Sequence, residues 1–282
     1  MRIGTHVSIA GGIENAPSRA AKVGAEVFQI FSRSPHGGPV KPISSDVITK
    51  FKSEMKKYKL DTFYIHTPYF INLASIKNNI YYGSIAVIRE ELERGSLLGC
   101  KAITTHLGSF GELSDKEGLE KVAKAVAKVM DGYKGSTQMT LEISAGAGRI
   151  VGDQFEEIAA ILENKLLKGL NIGVCFDTCH AFTAGYDLRN KKSVDGTLKQ
   201  FDKVIGFDKL VMLHVNDSKY DLGQHMDRHE NLGQGFIGLD GFKALAQHKV
   251  LSKQDWILET PKDNPKEDPK NIAILKKFRS NG

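Results

Sequence analysis

The sequence predicts an α/β protein, a (β/α)8 TIM barrel with a metal site at the C-terminal ends of its strands. Two observations predict the barrel. Eight short, nearly all-apolar runs alternate with eight helical patterns along 282 residues. Each run also closes on or beside a polar or charged residue, as a strand buried on both faces of a parallel sheet does. An open doubly wound sheet would instead need a switch point, and usually has about five to seven strands. Barrels of about 250 residues form one domain, so a single catalytic domain over 1–282 is expected.

The strand candidates, in order, are Ile3–His6, Val27–Phe31, Thr62–His66, Ala102–His106, Met139–Ile143, Ile172–Asp177, Leu210–Val215 and Trp256–Glu259. Helical spacing follows the first in Ile13–Val23, with apolar residues at Ile13, Ala16, Ala20 and Val23. Ser44–Tyr58 opens on a capping Ser-Ser-Asp, and Ile80–Leu98 is stopped by Gly99. Lys116–Val129 sets valines and alanines against lysines. Phe155–Leu162, Leu198–Ile205, Leu239–Gln247 and Ile272–Phe278 complete the set, and Pro261–Pro269 reads as a polar, proline-spaced loop.

Composition is that of an ordinary globular chain, 41% hydrophobic and 26% charged. No apolar run reaches the roughly 18 residues that span a bilayer. Arg2–Val7 already reads as strand, which leaves no room for a signal peptide, so a cytoplasmic monomer is expected. Cys100, Cys175 and Cys179 are too few for a disulfide framework and read as buried small hydrophobes. The net charge of +6 permits a polyanionic partner without requiring one.

The residues at the strand ends carry the chemistry. Strand three ends at His66 and strand four at His106. Strand five carries Glu142, strand six ends at Asp177 with His180 just after it, and strand seven carries His214. The following loop holds Asp227 and His229, and strand eight ends at Glu259. These five imidazoles and four carboxylates come from six consecutive strand ends, which converge on one rim of a parallel barrel. Gathered without cations, they would perturb each other's protonation severely. A His/Asp/Glu set points to zinc, with manganese or iron as substitutes, and nine donors with one bridging carboxylate suffice for two or three ions. His6 ends strand one and faces either substrate or a ligand. His36, His225 and His248 fit no strand end and read as surface or loop residues, and Asp217 is a nearby carboxylate with no ligand role.

These residues sit in motifs that resemble the endonuclease IV family, the zinc-dependent apurinic/apyrimidinic endonucleases, over nearly the whole length. The matching segments are Phe-Asp-Thr-Cys-His-Ala-Phe, His-Val-Asn-Asp-Ser-Lys, Asp-Arg-His-Glu-Asn-Leu-Gly-Gln-Gly, Tyr-Phe-Ile-Asn-Leu-Ala and Gly-Thr-His-Val-Ser. The resemblance implies three zinc ions. His66, His106 and Glu142 would hold the first. The bridging Glu142 with Asp177, His214 and Glu259 would hold the second, and His180, Asp227 and His229 the third. Glu142 and Glu259 are the positions it assigns to catalysis. It implies DNA repair by hydrolysis of the phosphodiester 5′ to an abasic site in duplex DNA. By the same resemblance a zinc-bound hydroxide would attack, leaving a 3′-hydroxyl and a 5′-deoxyribose phosphate, and 3′-blocked ends would be further substrates.

In the family, residues after strands two and three enter the minor groove. Tyr69 and Phe70 match the strand-three wedge, and Arg33 stands in for an arginine after strand two. His6 is the fourth DNA-facing candidate. The segment Ser32–Pro39 departs from the family's Asn-x-Arg-x-Trp pattern, and Ala147 stands where glutamine is common.

A sugar isomerase or epimerase on a related metal-binding barrel is the alternative reading. It needs only one or two ions and a base over a polyol pocket, so the third ligand group and the basic charge argue against it. A catalytically silent DNA-binding protein of the same fold would have a broken ligand position, and none is found.

Overall fold

Strands with apolar residues at every position can be satisfied only by a sheet covered on both faces, and the chain meets this by closing the sheet on itself. The computed structural model describes residues 1–38 and 40–280. Pro39, which ends the altered segment after strand two, and residues 281–282 lie outside the described residues.

The barrel strands are β1 (Arg2–His6), β2 (Val27–Phe31), β3 (Phe63–His66), β4 (Ala102–Thr105), β5 (Gln138–Glu142), β6 (Ile172–Asp177) and β7 (Leu210–His214). Two short strands, β8 (Asp217–Ser218) and β9 (His229–Glu230), precede the last barrel strand β10 (Asp255–Leu258). Every barrel pairing is parallel, and β10 closes the ring between β7 and β1. The helices are α1 (Ala16–Lys22), α2 (Ser45–Lys57), α3 (Asn78–Leu98), α4 (Asp115–Met130), α5 (Phe155–Leu162), α6 (Thr178–Ala184), α7 (Lys191–Val204), α8 (Gly238–Gln247) and α9 (Glu267–Ser280).

Alternation along each strand sorts side chains into two cores. Outward residues such as Phe28, Ile65, Ile103, Leu141, Phe176, Leu213 and Trp256 pack beneath the helices in one large cluster. Val27, Tyr64, Ala102, Cys175, Met212 and Ile257 form a second, from six strands, that fills the lumen. Below it, Asp255 takes hydrogen bonds from Arg2 and Tyr64 and closes the N-terminal mouth. Above it, the next inward positions are Gln29, His66, Glu142, Asp177 and His214, so the lumen is apolar at mid-height and ionisable at the C-terminal rim.

Two helix starts and one whole helix differ most from the sequence reading, each for a local reason. The helix read from Leu198 begins at Lys191, because Asn190 and Ser193 form a reciprocal capping box ahead of the first apolar turn. The segment read as a loop to Pro269 is helical from Glu267, since proline is tolerated in a first turn. Helix α6 has no counterpart in the sequence reading. It starts because the Asp177 carboxylate accepts from the His180 amide at 2.8 Å. Ser44 and Gly99 act as the expected caps of α2 and α3.

Candidate metal centre

Parallel strands of matched register bring their last inward side chains to one level, and at this rim they meet His180 from α6 and Asp227 and His229 from the segment after β8, which gathers all nine residues. Glu142, fully buried at the end of β5, is the hub. Its Oε2 lies 3.2 Å from His66 Nε2 and 3.7 Å from His106 Nε2. Its Oε1 lies 2.7 Å from His214 Nδ1. The two oxygens thus face two different groups. His66, His106 and Glu142 form one; Glu142, Asp177, His214 and Glu259 form the second, with their donor atoms all within 4.8 Å of one another. In the second, His214 Nδ1 stands 3.2 Å from Glu259 Oε2 and 3.8 Å from Asp177 Oδ2.

The third group is His180, Asp227 and His229. His180 Nε2 is 3.1 Å from Asp227 Oδ1, and His229 Nε2 is 3.5 Å from the same oxygen. His229 Nε2 also lies 3.7 Å from Asp177 Oδ2, which ties this group to the second.

Four of the five imidazoles are oriented by a bond from the other ring nitrogen. His66 Nδ1 donates to Thr67 O at 2.6 Å, His180 Nδ1 to Ile143 O at 2.9 Å, and His229 Nδ1 to Glu259 O at 3.1 Å. His214 Nε2 donates to Gln29 Oε1 at 2.8 Å. Each leaves its second ring nitrogen aimed into the cluster, the arrangement metal-binding histidines adopt.

Electrostatics and satisfaction favour cations here. Burial opposes ionisation of Glu142, and the His106 and His214 imidazoles overcome it and hold the carboxyl well below its usual range. Burial likewise opposes a charged His180, and the Asp177 and Asp227 carboxylates push its pKa well above normal. The cluster therefore balances buried carboxylates with protons that divalent ions would replace. His180 Nε2 and His229 Nε2 are buried yet lack a hydrogen-bond partner, because Asp227 lies within reach but out of alignment. An all-nitrogen-and-oxygen donor set with two such orphaned nitrogens fits divalent metal ions.

Residues not singled out from the sequence complete the site. Gln29, in the middle of an otherwise apolar strand, bridges His214 and Glu259. Asn216 donates to Asp177 Oδ2 at 2.8 Å and accepts from the Glu259 amide at 2.7 Å. A polar residue inside a doubly buried strand was the available signal for Gln29; Asn216 lay within the His-Val-Asn-Asp motif. All three thiols are buried as the sequence predicts, and burial pushes Cys179 up to about 12 and Cys175 above its usual value. Both nonetheless stand within reach of the donor atoms, Cys175 near Glu142 and His214, Cys179 near Asp177 and His229.

A cavity of about 490 Å³ opens over the cluster, walled by His6, Phe31, Tyr69, Arg228 and Lys262 among others. His6 sits 3.7 Å from Glu259, and burial lowers its pKa. Tyr69 and Phe70 stand on the rim 61% and 43% exposed, with Tyr69 edge-on to Phe31. Arg33 is buried at the start of the segment after β2, where its guanidinium donates to Glu91 Oε1 at 2.6 Å and to Glu90 rather than standing free on the rim. Arg94 fixes the same segment through Ser32 and Lys41 O, and exposed His36 emerges beside Tyr69 instead. His225 and His248 stay outside the cluster, His225 near Asp153 and His248 against Phe207.

The family model for xylose isomerase-like TIM barrels matches residues 17–278. A probable endonuclease 4 of Nitrosopumilus maritimus (strain SCM1) is 40% identical over 280 residues, covering 99% of this chain and 100% of that protein. Among solved structures, endonuclease IV from Thermus thermophilus superposes with a TM-score of 0.88 at 30% identity over the whole of both chains. A D-tagatose 3-epimerase-like protein superposes with a TM-score of 0.75 at 19% identity, over 99% of this chain and 97% of that one, a likeness of fold alone. Full-length identity at this level, together with the barrel and its nine-residue rim, means that the chain belongs to the endonuclease IV family of xylose isomerase-like TIM barrels.

Proposed function

We propose that this protein is a zinc-dependent endonuclease of DNA repair that cuts the phosphodiester 5′ to an abasic site in duplex DNA, leaving a 3′-hydroxyl and a 5′-deoxyribose phosphate. The observation that carries the reading is the gathering of nine donors into three adjoining groups, two of which share the Glu142 carboxylate. His66, His106 and Glu142 would hold one zinc, Glu142 with Asp177, His214 and Glu259 a second, and His180, Asp227 and His229 a third; Mn2+ or Fe2+ are substitutes. Zinc held by these residues would supply a water whose pKa is lowered to about 7 and would offset charge on the phosphoryl oxygens.

The chain's own residues supply position and access. Glu142 turns one oxygen to each of two groups, which sets their spacing. Glu259 and His6 face the cavity together, where the strand's sugar-phosphate would lie. Flipping a nucleotide out of the helix is least costly where no base stacks. Exposed Tyr69 and Phe70 on the rim are apolar groups suited to filling the gap so left. The protein would act as a cytoplasmic monomer, and among the described residues no helix is long and apolar enough to cross a membrane.

The test is a labelled duplex with one tetrahydrofuran abasic analogue beside an undamaged control, with and without prolonged chelation. A single metal-dependent incision 5′ to the analogue, ending in a 3′-hydroxyl, is expected. Absence of incision by a protein holding about three zinc ions would overturn the substrate assignment and favour a sugar-directed activity.

A further inference from the structure

Of the nine donors, Asp227 and His229 alone stand on neither a barrel strand nor the helix and residue that directly follow one. They lie on the segment between β8 and α8, whose shape must be imposed from elsewhere. The side chain that imposes it is Asp217. It is fully buried. Its Oδ1 accepts from the amides of Ser218 and Ile237, both at 2.9 Å. Its Oδ2 accepts from Gly233 at 2.8 Å and Gly235 at 3.2 Å, and the Gly238 amide lies 3.3 Å away. One carboxylate therefore gathers five backbone amides, four of them from the return limb of the loop.

The same residue begins β8, in which Asp217 pairs with Glu230 and Ser218 with His229. The strand carrying His229 and the limb after it, carrying the glycines, are thus fastened to one point. Gly235 permits this: a Cβ there would stand 2.3 Å from Ser218 O and 2.6 Å from Asp217 Oδ1. The tip is tied separately, through His225 N to Thr183 O at 2.9 Å. Buried carboxylates satisfied by several amides are strong, charge-assisted anchors.

We propose that Asp217 is the positioning residue of the third metal group, holding Asp227 and His229 opposite His180, so that this ion's affinity is set separately from that of the other two. The proposal rests on the metal reading above. Asparagine at this position keeps the volume but offers one acceptor oxygen and turns an N–H toward the amides, so Asp217→Asn should free the return limb while leaving the strand ends in place.

The experiment is zinc competition with a chromophoric chelator on purified wild type and Asp217→Asn, with amide hydrogen exchange on both. One zinc per chain should weaken by about 10–100-fold, as when the partners of metal ligands are removed, with the remaining zinc unaltered. Exchange should quicken over residues 219–238 and stay slow in the barrel strands. Equal zinc number and affinity in the two proteins would overturn the proposal, and so would faster exchange throughout the barrel. Should Asp217→Asn fail to fold, Gly235→Ala displaces the same amide with the carboxylate intact and must give the same split. A wild type that binds no zinc would instead sink the metal reading.

Discussion

Gln29 joins two residues of the candidate metal centre that are distant in sequence: its Oε1 accepts from His214 Nε2 at 2.8 Å, and its Nε2 donates to Glu259 Oε1 at 2.6 Å. The first bond directs His214 Nδ1 into the cluster, and the second fixes the carboxylate beside it. Gln29 is wholly buried and cannot touch DNA. Gln29→Leu keeps the volume and removes both bonds, together with the contact of Gln29 Nε2 with His6 Nδ1 at 3.1 Å. Cleavage and metal retention should each fall by about 10–100-fold, with the dissociation constant for abasic duplex little changed. A purely packing role would lower the melting temperature and leave metal affinity alone.

Glu142 is the residue for which loss should be most severe, since its two oxygens serve two groups. Glu142→Gln is nearly isosteric, yet it turns an amide N–H toward imidazole nitrogens and drops the charge between them. Cleavage should fall by at least about 100-fold, beyond the range seen for residues that merely orient ligands. Activity within tenfold of wild type, with metal content unchanged, would remove Glu142 from its bridging role.

The barrel and the nine rim residues were legible because both follow from period and position: strands buried on two faces have no polar face, so a polar residue at the strand end stands out. His106, one residue beyond β4, and Glu142, at the end of β5, were found although the boundaries drawn for those strands were off by one. Side-chain partnerships across the fold were not legible. Arg33 looked free for DNA because its partners Glu90 and Glu91 lie 57 and 58 positions away on α3. Asp217 looked incidental because its partners are backbone amides, which carry no residue-type signal at all. Helix α6 was hidden because its cap, Asp177, also reads as a ligand: its Oδ1 caps the helix while its Oδ2 faces His229.

Tyr69 offers a test of the rim. It is 61% exposed and touches Phe31 edge-on, so Tyr69→Ala should change stability by less than about 0.5 kcal/mol, as exposed substitutions do. Aromatic stacking on bases contributes about 1–3 kcal/mol. Binding to duplex with a tetrahydrofuran site should therefore weaken by about 5–150-fold, while binding to undamaged duplex and single-turnover cleavage at saturation change far less. Equal dissociation constants for wild type and variant on the abasic duplex would dismiss the wedge.

Glu157 gives a pH dependence away from the ligands. Its Oε2 accepts from the Gly152 amide at 2.7 Å, and Gly152 O in turn accepts from Ser144 N at 2.9 Å, two residues past Glu142. Burial, with the nearby Asp153 and Asp115 carboxylates, pushes the Glu157 pKa up to about 7. The folded protein thus holds this proton more tightly than the unfolded chain, where the group titrates near 4.5. Stability from this source is complete below the unfolded value, falls as pH rises between the two, and is gone above about 7. Glu157→Gln keeps an acceptor for Gly152 and cannot ionise. Since Glu157 is partly exposed, solvent screening reduces the effect to about 1 kcal/mol, or about 2–4 °C in melting temperature. Between pH 5 and pH 8 the variant should gain that much relative to wild type, measured on metal-free samples of both. Parallel melting curves across this range would mean that Glu157 ionises in the folded protein as readily as in the unfolded chain.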